Sequence, residues 1–280
     1  MRARPGFAEA LFQDARAGLE FHDLEIPFNR AVSDMASFIL GLLALSLHYS
    51  GGLSHRRLRH LGGHGGLVSA GRATAILWRL QRDNFVITEA RRTGLVRLYT
   101  PMPAMVEAFR ERMRRLCAAA GIIDESCRRV SLSLSQDTVF ESLLAALGAR
   151  IVQAAEDPNP LLAPLNSLSM RQGAMLLIYS LIAAAHAEGA PGPSGPARFS
   201  AAAAARRFGG SRSHIGRLIG EMEREGFVQR TADPNLLTLT ERFAEVYEFY
   251  FAIGVAGLAA ACTAALQARG VSEMGAVRSS

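Results

Sequence analysis

Residues 69–86 read SAGRATAILWRLQRDNFV, and residues 211–228 read SRSHIGRLIGEMEREGFV. The two stretches align without a gap at an offset of 142, which places Phe85 on Phe227. Further along the chain, Thr100 aligns with Thr240 at an offset of 140, so the difference falls in a segment between them that we interpret as a loop. Offsets that change only at loops are typical of a duplicated domain. The sequence therefore predicts two copies of one structural unit.

The first copy has the start signals of two consecutive helices, because Ser54 and Ser69 are the residue type that caps helix N-termini. Hydrophobic spacing places Ala73, Ile76, Leu77 and Leu80 on the inner face of the second of these helices. The predicted elements are an apolar helix Phe28–Leu47, a basic helix His55–Leu61, a glycine turn 62–66, a helix after Ser69, strands Phe85–Thr88 and Leu95–Tyr99, and a helix Met102–Ala119.

The second copy repeats this order, with a turn-rich insertion at residues 189–196 after its first helix. Ser169 and Gln172 fit a capping box at the start of an apolar helix that ends near His186. The other predicted elements are a helix Ala201–Phe208 capped by Ser200, a helix from Ser211 to Glu225, strands Phe227–Arg230 and Leu236–Leu239, and a helix Glu241–Ala268. Amphipathic helices Phe7–Leu19 and Thr138–Gln153 precede the two copies. We expect domains at 1–125 and 130–270, with a disordered tail at 271–280.

Two helices joined by a tight turn and followed by a β-hairpin are the order of a winged helix-turn-helix, whose second helix enters the DNA major groove. We therefore predict a mainly α fold with two small β-hairpin wings, in which tandem winged helices form a pseudo-dimer. Arginine and hydroxyl side chains bind base edges and phosphates. The predicted DNA-binding residues are Ser69, Arg72, Thr74, Arg79, Arg91 and Arg92 in the first copy, and Ser211, Arg212, Ser213, His214, Arg217 and Arg230 in the second.

The positive charge of the chain is unevenly placed. The net charge is +6, and every one of the 31 basic residues is arginine. Residues 1–140 carry 19 Arg against 13 acidic residues, whereas residues 141–280 carry 12 of each. Within residues 51–100, nine Arg face only Asp83 and Glu89. A basic block of this density predicts an anionic partner, with nucleic acid first, and the first copy should supply most of the electrostatic attraction.

Residues 199–228, followed by 237–240, resemble the winged-helix core of MarR-type bacterial transcriptional regulators. The resemblance implies sequence-specific binding to double-stranded DNA at two half-sites and a small-molecule effector. Three cysteines without a disulfide or zinc spacing and the lack of a visible secretory signal predict a cytoplasmic, nucleoid-associated location. Family members are single-domain homodimers, so two copies in one chain imply either a monomeric pseudo-dimer or a homodimer. The family's Asp-x-Arg wing signature is missing: the first wing has Arg91-Arg92, and the second has no basic residue at 231–235.

Two other functions stay open, a replication initiator with paired winged helices and a protein-interaction scaffold with degenerate ones. No enzyme motif is found, so we predict neither catalysis nor a cofactor. His60 and His64 are not expected to bind metal, because Gly62-Gly63 breaks the helix between them. Cys117 and Cys127 are interpreted as buried unreactive thiols, and Trp78 as a packing residue. The apolar stretches 35–54 and 249–268 are interrupted or rich in Ala and Gly, so no membrane span is predicted.

Overall fold

The computed structural model describes residues 4–24, 26–93 and 96–278, with side chains for all of these except 26, 90–93, 96 and 269–278. This part of the chain is mainly helical with two small antiparallel sheets, as the sequence predicts. The helices are α1 (Phe7–Leu24), α2 (Ile26–Ala31), α3 (Met35–Tyr49), α4 (His55–Gly63), α5 (Ala70–Arg82), α6 (Pro103–Ala120), α7 (Glu125–Ser133), α8 (Asp137–Glu156), α9 (Ala163–Ser169), α10 (Ala174–Ala187), α11 (Ala201–Phe208), α12 (Arg212–Arg224) and α13 (Glu241–Arg278). The strands are β1 (Leu53–Ser54), β2 (Val86–Thr93), β3 (Val96–Pro101), β4 (Gly195–Arg198), β5 (Val228–Arg230) and β6 (Leu236–Leu239).

The two sheets have the same topology. Their strand orders are β1-β3-β2 and β4-β6-β5, and each predicted hairpin gains a short third strand along its second strand. Leu53 pairs with Tyr99 in the first sheet, and Ala197 pairs with Leu237 in the second. Sequence patterns predict neither third strand, because β1 has only two residues and β4 contains the Gly195-Pro196 pair of the expected linker. Such segments carry no alternating hydrophobic pattern.

The described residues divide into two compact units whose boundaries differ from the predicted domains. The 27–158 unit contains residues 27–32, 36–158 and the chain from 257 onward. The 159–256 unit contains residues up to 26, residues 33–35 and residues 159–256. The predicted assignment of α1 to the first domain and α8 to the second is therefore wrong. Sequence adjacency suggested it, but side-chain packing places α1 against α10.

Aromatic rings fill the centre of the 27–158 unit. Phe28 lies edge-to-face against both Phe85 and Phe109, with ring centroids 5.6 and 5.0 Å apart. Gly41 on α3 makes room for this cluster, because a Cβ atom there would lie 2.6 Å from the Phe109 ring. The cluster joins α2, the start of the hairpin and α6 in one core.

The 159–256 unit is built around the contact between α1 and α10. The ring of Phe12 stacks on that of His186 with centroids 3.9 Å apart. Gly18 of α1 lies directly beneath Tyr179 of α10, and any Cβ there would come within 2.5 Å of the ring. Phe7 packs edge-to-face against Phe251 of α13. The apolar face of α1 is thus an integral part of this core rather than an appendage.

The structure changes the predicted alignment after the hairpins. Val86 pairs with Pro101 and Val228 pairs with Leu239, which makes the offset 138 instead of 140. At this offset the fully buried Phe109 corresponds to the fully buried Tyr247. Thr100 and Thr240 are therefore not equivalent. The predicted alignment relied on the identity of these two threonines and overlooked the burial pattern. Threonine is common in strands, so such an identity is weak evidence of equivalence.

Three further predictions are corrected. The helix expected at 28–47 is interrupted between α2 and α3, where Ser33 accepts a hydrogen bond from the Gly173 amide at 2.9 Å. The expected capping box is absent: the Ser169 hydroxyl donates to the Asn166 carbonyl at the end of α9, and Gly173 with φ +71° caps α10. Helix α13 continues to Arg278 through most of the expected disordered tail, which contains no proline to end it.

Two helices in the described residues are long and apolar enough to cross a membrane. They are Asp137–Glu156, with mean hydropathy 1.3, and Glu241–Ala268, with mean hydropathy 1.9. The bent pair 160–169 and 174–187 would make a third span if it acted as one. Length and composition alone define these candidates, and 33% of each apolar window is buried inside the protein. The absence of a membrane span stays a prediction.

Candidate nucleic-acid interface

The helix pair α11 and α12 is defined by side-chain caps at both N-termini. The Ser200 hydroxyl accepts a hydrogen bond from the Ala203 amide at 3.3 Å, and the Ser211 hydroxyl accepts one from the His214 amide at 3.1 Å. Gly209, with φ +70°, ends α11 in the left-handed conformation that favours glycine. Both serine caps agree with the sequence prediction, and the Ser211 cap fixes where α12 begins.

The outward face of α12 carries Ser213, Arg217 and Arg224, opposite the buried residues Ile215, Leu218, Ile219 and Met222. Arg212 precedes this face at the first helical position and is also exposed. Across the described residues, the guanidinium groups of Arg212 and Arg217 make no hydrogen bond or ion pair. The Ser213 hydroxyl lies 2.9 Å from that of Ser211. The helix thus presents two uncommitted bidentate donors to the outside.

Two other predicted contacts of this unit are engaged within the protein. His214 Nε2 lies 2.9 Å from the carbonyl of Gln172. Arg230 donates to Glu223 at 3.0 Å, which joins β5 to the end of α12. Arg230 is 57% exposed in this ion pair, so solvent competes with it and the interaction is weak. Sequence spacing could not show these partners.

Helix α5 in the 27–158 unit has a different outward face. Ser69 caps it as predicted, accepting the Arg72 amide at 3.2 Å, and Arg72 itself is half-buried. The residues that project outward are Gly71, Ala75, Trp78 and Arg82. Trp78 is 64% exposed, so its interpretation as a packing residue is wrong. Trp78 lies between the buried Leu77 and Leu80 in the sequence. Each step along a helix turns the side chain by about 100°, so Trp78 projects away from the core.

Two predicted DNA contacts on α5 are turned toward other parts of the same unit. Arg79 donates to the Ser37 hydroxyl on α3 at 3.3 Å and is half-buried. The Thr74 hydroxyl donates to the Ala70 carbonyl at 2.9 Å and lies 2.8 Å from His55 Nε2. These contacts place Arg79 on the side of the core and make Thr74 a link between α4 and α5. The donor-rich face predicted for the first copy is therefore only partly present.

A basic groove opens where α4 meets the start of α5. Its volume is about 570 Å³, and it is lined by His55, Arg56, Arg57, Arg59, His60 and Ala70. Arg57 donates to the carbonyls of Gly52 and Ser50 at 2.6 and 3.2 Å, so it holds the β1 turn in place. Arg56 and Arg59 are exposed, and among the described residues neither makes a hydrogen bond or ion pair.

Burial, and then the positive charge of Arg59, lower the pKa of His55 below its ordinary value. The positive charge of Arg59 thus acts on the His55 ring in addition to the larger effect of burial. The residues of this groove are missing from the predicted set, although the density of arginine at 51–100 was the signal that could have found them. We call His55, Arg56, Arg59 and His60 the basic groove below.

The hairpin tips differ between the two units. The side chains of Arg91 and Arg92, predicted to contact DNA from the first wing, lie outside the described residues. In the second hairpin, the Thr231 hydroxyl donates to the Asp233 and Leu236 carbonyls at 3.0 Å, and Asp233 accepts the Asn235 amide at 2.8 Å. This tip is closed by its own hydrogen bonds and carries no positively charged residue at 231–235, so it offers a phosphate no ionic attraction.

The three cysteines lie together in the core of the 27–158 unit, which the sequence did not indicate for Cys262. All three are buried, and Cys117 Sγ lies 3.7 Å from Cys262 Sγ. The pKa of Cys127 is raised, first by its hydrogen bond with Cys262 and then by burial. The pKa of Cys262 is raised, first by its hydrogen bond with Cys117. Raised pKa values keep the thiols protonated and poorly nucleophilic.

Histidines near the basic groove serve contacts within the protein. His64 Nε2 lies 2.7 Å from Glu156, and the rings of His60 and His64 are 6.2 Å apart. In the part of the chain that the structure describes, no group of three or more His, Cys, Asp or Glu residues is placed to hold a metal ion. The contact between His64 and Glu156 therefore joins the turn after α4 to the end of α8.

Neither family models, curated proteins nor solved structures give a match to this chain. Function is therefore inferred from the residues and geometry described above.

Proposed function

We propose that the protein is a sequence-specific regulator of transcription that binds double-stranded DNA with two winged helix-turn-helix units of the MarR type. In this proposal α4–α5 and α11–α12 are the two helix-turn-helix pairs, and the hairpins β2–β3 and β5–β6 are the wings. Helices α5 and α12 are the recognition helices, each entering one half-site in the major groove.

The observation that carries the proposal is the outward face of α12. A Ser-capped helix that leaves Arg212 and Arg217 exposed and unpaired presents planar donors, and such donors match O6 and N7 of guanine. Some surface arginines of the chain have a carboxylate partner, as Arg114 and Arg128 do on α6 and α7. Among the described residues neither Arg212 nor Arg217 makes such an ion pair, so both guanidinium groups are available to an external anionic partner.

The basic groove supports the same function through phosphate contacts. Arg56 and Arg59 lie on α4, the helix that crosses the DNA backbone in a helix-turn-helix. The corresponding helix in the other unit, α11, begins with five alanines, and its Arg207 is paired with Asp23 at 2.7 Å. The two units thus have different roles in this proposal, since the 27–158 unit supplies electrostatic attraction and the 159–256 unit reads base edges.

Genomic occupancy tests the proposal. Chromatin immunoprecipitation with the full chain is expected to give enrichment at many promoters and a common sequence motif. The double variant R212A/R217A should lose the half of the motif that the 159–256 unit binds, while the total amount of DNA recovered falls less, because phosphate contacts remain. Enrichment at one cluster of direct repeats at an origin would favour a replication initiator instead. Absence of any enrichment would contradict both and favour a protein-interaction scaffold.

A further inference from the structure

The first three outward positions of α5 carry no hydrogen-bonding side chain except the indole of Trp78. The first two of these positions are Gly71 and Ala75, and the third is Trp78, which is 64% exposed. A Cβ atom on Gly71 would have no neighbour within 4 Å, so nothing in the unit covers this end of the helix. The next outward residue, Arg82, pairs with Asp83 at 2.8 and 3.2 Å, and its side chain is 74% exposed.

The remaining polar side chains of α5 have partners inside the protein. Thr74 is bonded to the Ala70 carbonyl and lies against His55, and Arg79 is bonded to Ser37. The corresponding face of α12 is different in kind. At the offset of 142, Arg217 occupies the place of Ala75, and Gly220 occupies the place of Trp78. One recognition helix is therefore donor-rich, and the other offers an aromatic ring beside two residues with almost no side chain.

An apolar helix face can read one feature of a base edge in the major groove, the C5-methyl group of thymine. Gly71 and Ala75 allow the helix backbone to come close to the bases, which brings the Trp78 ring within reach of them. The basic groove lies at the same end of α5, since Ala70 lines it together with His55 and the exposed Arg56 and Arg59. The positive charge can bind the phosphate backbone, while the apolar face beside it contacts thymine methyl groups in the groove.

We propose that Trp78 is a specificity-determining residue that contacts thymine methyl groups in the half-site bound by the 27–158 unit. This inference rests on the proposed function and adds to it that the two half-sites differ: thymine is read by Trp78 in one, and guanine by Arg212 and Arg217 in the other. The operator is then asymmetric, although the two units share one topology.

The test uses the full chain and a duplex recovered by selection from a random library. Thymines of one half-site, and then of the other, are replaced by deoxyuridine, which removes only the methyl group. Binding should weaken by about threefold to fivefold for each contacted methyl group, the effect of one buried carbon. The loss should be confined to one half-site. Trp78→Ala should abolish the sensitivity to deoxyuridine, and Trp78→Phe should keep part of it.

Leu132→Ala is the matched control, because Leu132 is an exposed apolar residue of the same unit and lies on α7. It should leave both affinity and deoxyuridine sensitivity unchanged. Trp78 is the only tryptophan of the chain, so its fluorescence reports on this site in the unmodified protein. The emission should be quenched or shifted when the selected duplex binds.

The outcomes separate the two proposals. If selection recovers no preferred sequence, the proposed function fails and the inference fails with it. If a preferred sequence is bound but deoxyuridine has no effect, or the Trp78 emission does not change at saturation, the inference about Trp78 is wrong and the regulator proposal stands. The fluorescence measurement needs no variant, so a variant that folds poorly does not leave the inference undecided.

Discussion

His55 Nε2 lies 2.8 Å from Thr74 Oγ1, and this contact joins α4 to α5. The Thr74 hydroxyl donates its own proton to the Ala70 carbonyl, so it accepts the proton of a neutral His55 ring. Burial, followed by the charge of Arg59, lowers the pKa of His55. The contact between the two helices thus involves a histidine whose neutral form is favoured, first by burial and then by the charge of Arg59.

This arrangement predicts a pH dependence of stability. Because the folded pKa of His55 is lowered, the unfolded chain takes up the proton first as the pH falls. The contribution is complete above about pH 6.5, the unfolded value, and is lost as the pH falls through that value toward the folded pKa. Urea unfolding of the parent and His55→Gln between pH 8 and pH 5 measures it. The parent should lose more stability than the variant on acidification; parallel curves would contradict the prediction.

In the turn after α4, the backbone geometry requires glycine at position 65. Gly65 has φ +56°, and a Cβ there would lie 2.3 Å from the Ala155 carbonyl oxygen. Gly65→Ala is therefore expected to destabilise the chain by about 2–4 kcal/mol, through backbone strain and a steric clash with α8. Gly63→Ala is the control, because a Cβ at Gly63 meets nothing within 4 Å and its φ is −82°. Its stability should change by less than about 1 kcal/mol. Equal losses in the two variants would be inconsistent with this account of the turn.

The cysteine cluster predicts an inert set of thiols. All three side chains are buried, and raised pKa values keep Cys127 and Cys262 protonated. Ellman's reagent at pH 8 should label none of the three in the folded chain and all three in denaturant. The control is the same protein after treatment with hydrogen peroxide, which should still release three thiols on unfolding. Rapid labelling of the folded protein would show that this core opens readily.

Local signals in the sequence were sufficient for most helix and strand positions. The serine caps of α4, α5, α11 and α12 all form as predicted, because a cap depends on residues within one turn. The hairpins β2–β3 and β5–β6 also lie where expected. The predictions that failed depend on long-range packing. Helices α1 and α8 were assigned to the wrong units, and the two-residue strand β1 was not predicted.

The candidate site shows the same limit at the level of side chains. Helical spacing put Ser213 and Arg217 on an exposed face correctly. Spacing could not reveal that Arg79 bonds to Ser37 across forty-two residues, or that Trp78 points to solvent. Burial of a helix residue is set by the elements that pack against it. A large apolar side chain therefore does not show by itself that its position is buried.

The salt dependence of DNA binding tests the basic groove. The double variant R56A/R59A should weaken binding to all sequences and reduce the slope of log affinity against log salt by about two, since each lost phosphate contact removes about 0.9. The variant R91A/R92A should act in the same direction, by about one to two. R129A/R150A removes the same charge from exposed positions on α7 and α8 and is the control. An unchanged slope in R56A/R59A would exclude the groove as a phosphate site.

The recognition face of α12 gives the last prediction. Arg217→Ala should cost roughly 1–3 kcal/mol on the preferred duplex and almost nothing on a scrambled one, because a bidentate contact to guanine is lost. Arg212→Ala should behave in the same way at a neighbouring base pair. Arg230→Ala is the comparison, since Arg230 already has Glu223 as a partner at 3.0 Å and should lose less. Binding isotherms on both duplexes at two salt concentrations measure these losses. Equal losses on the two duplexes would mean that Arg217 contacts phosphate rather than a base, and the reading of sequence would then have to come from α5 alone.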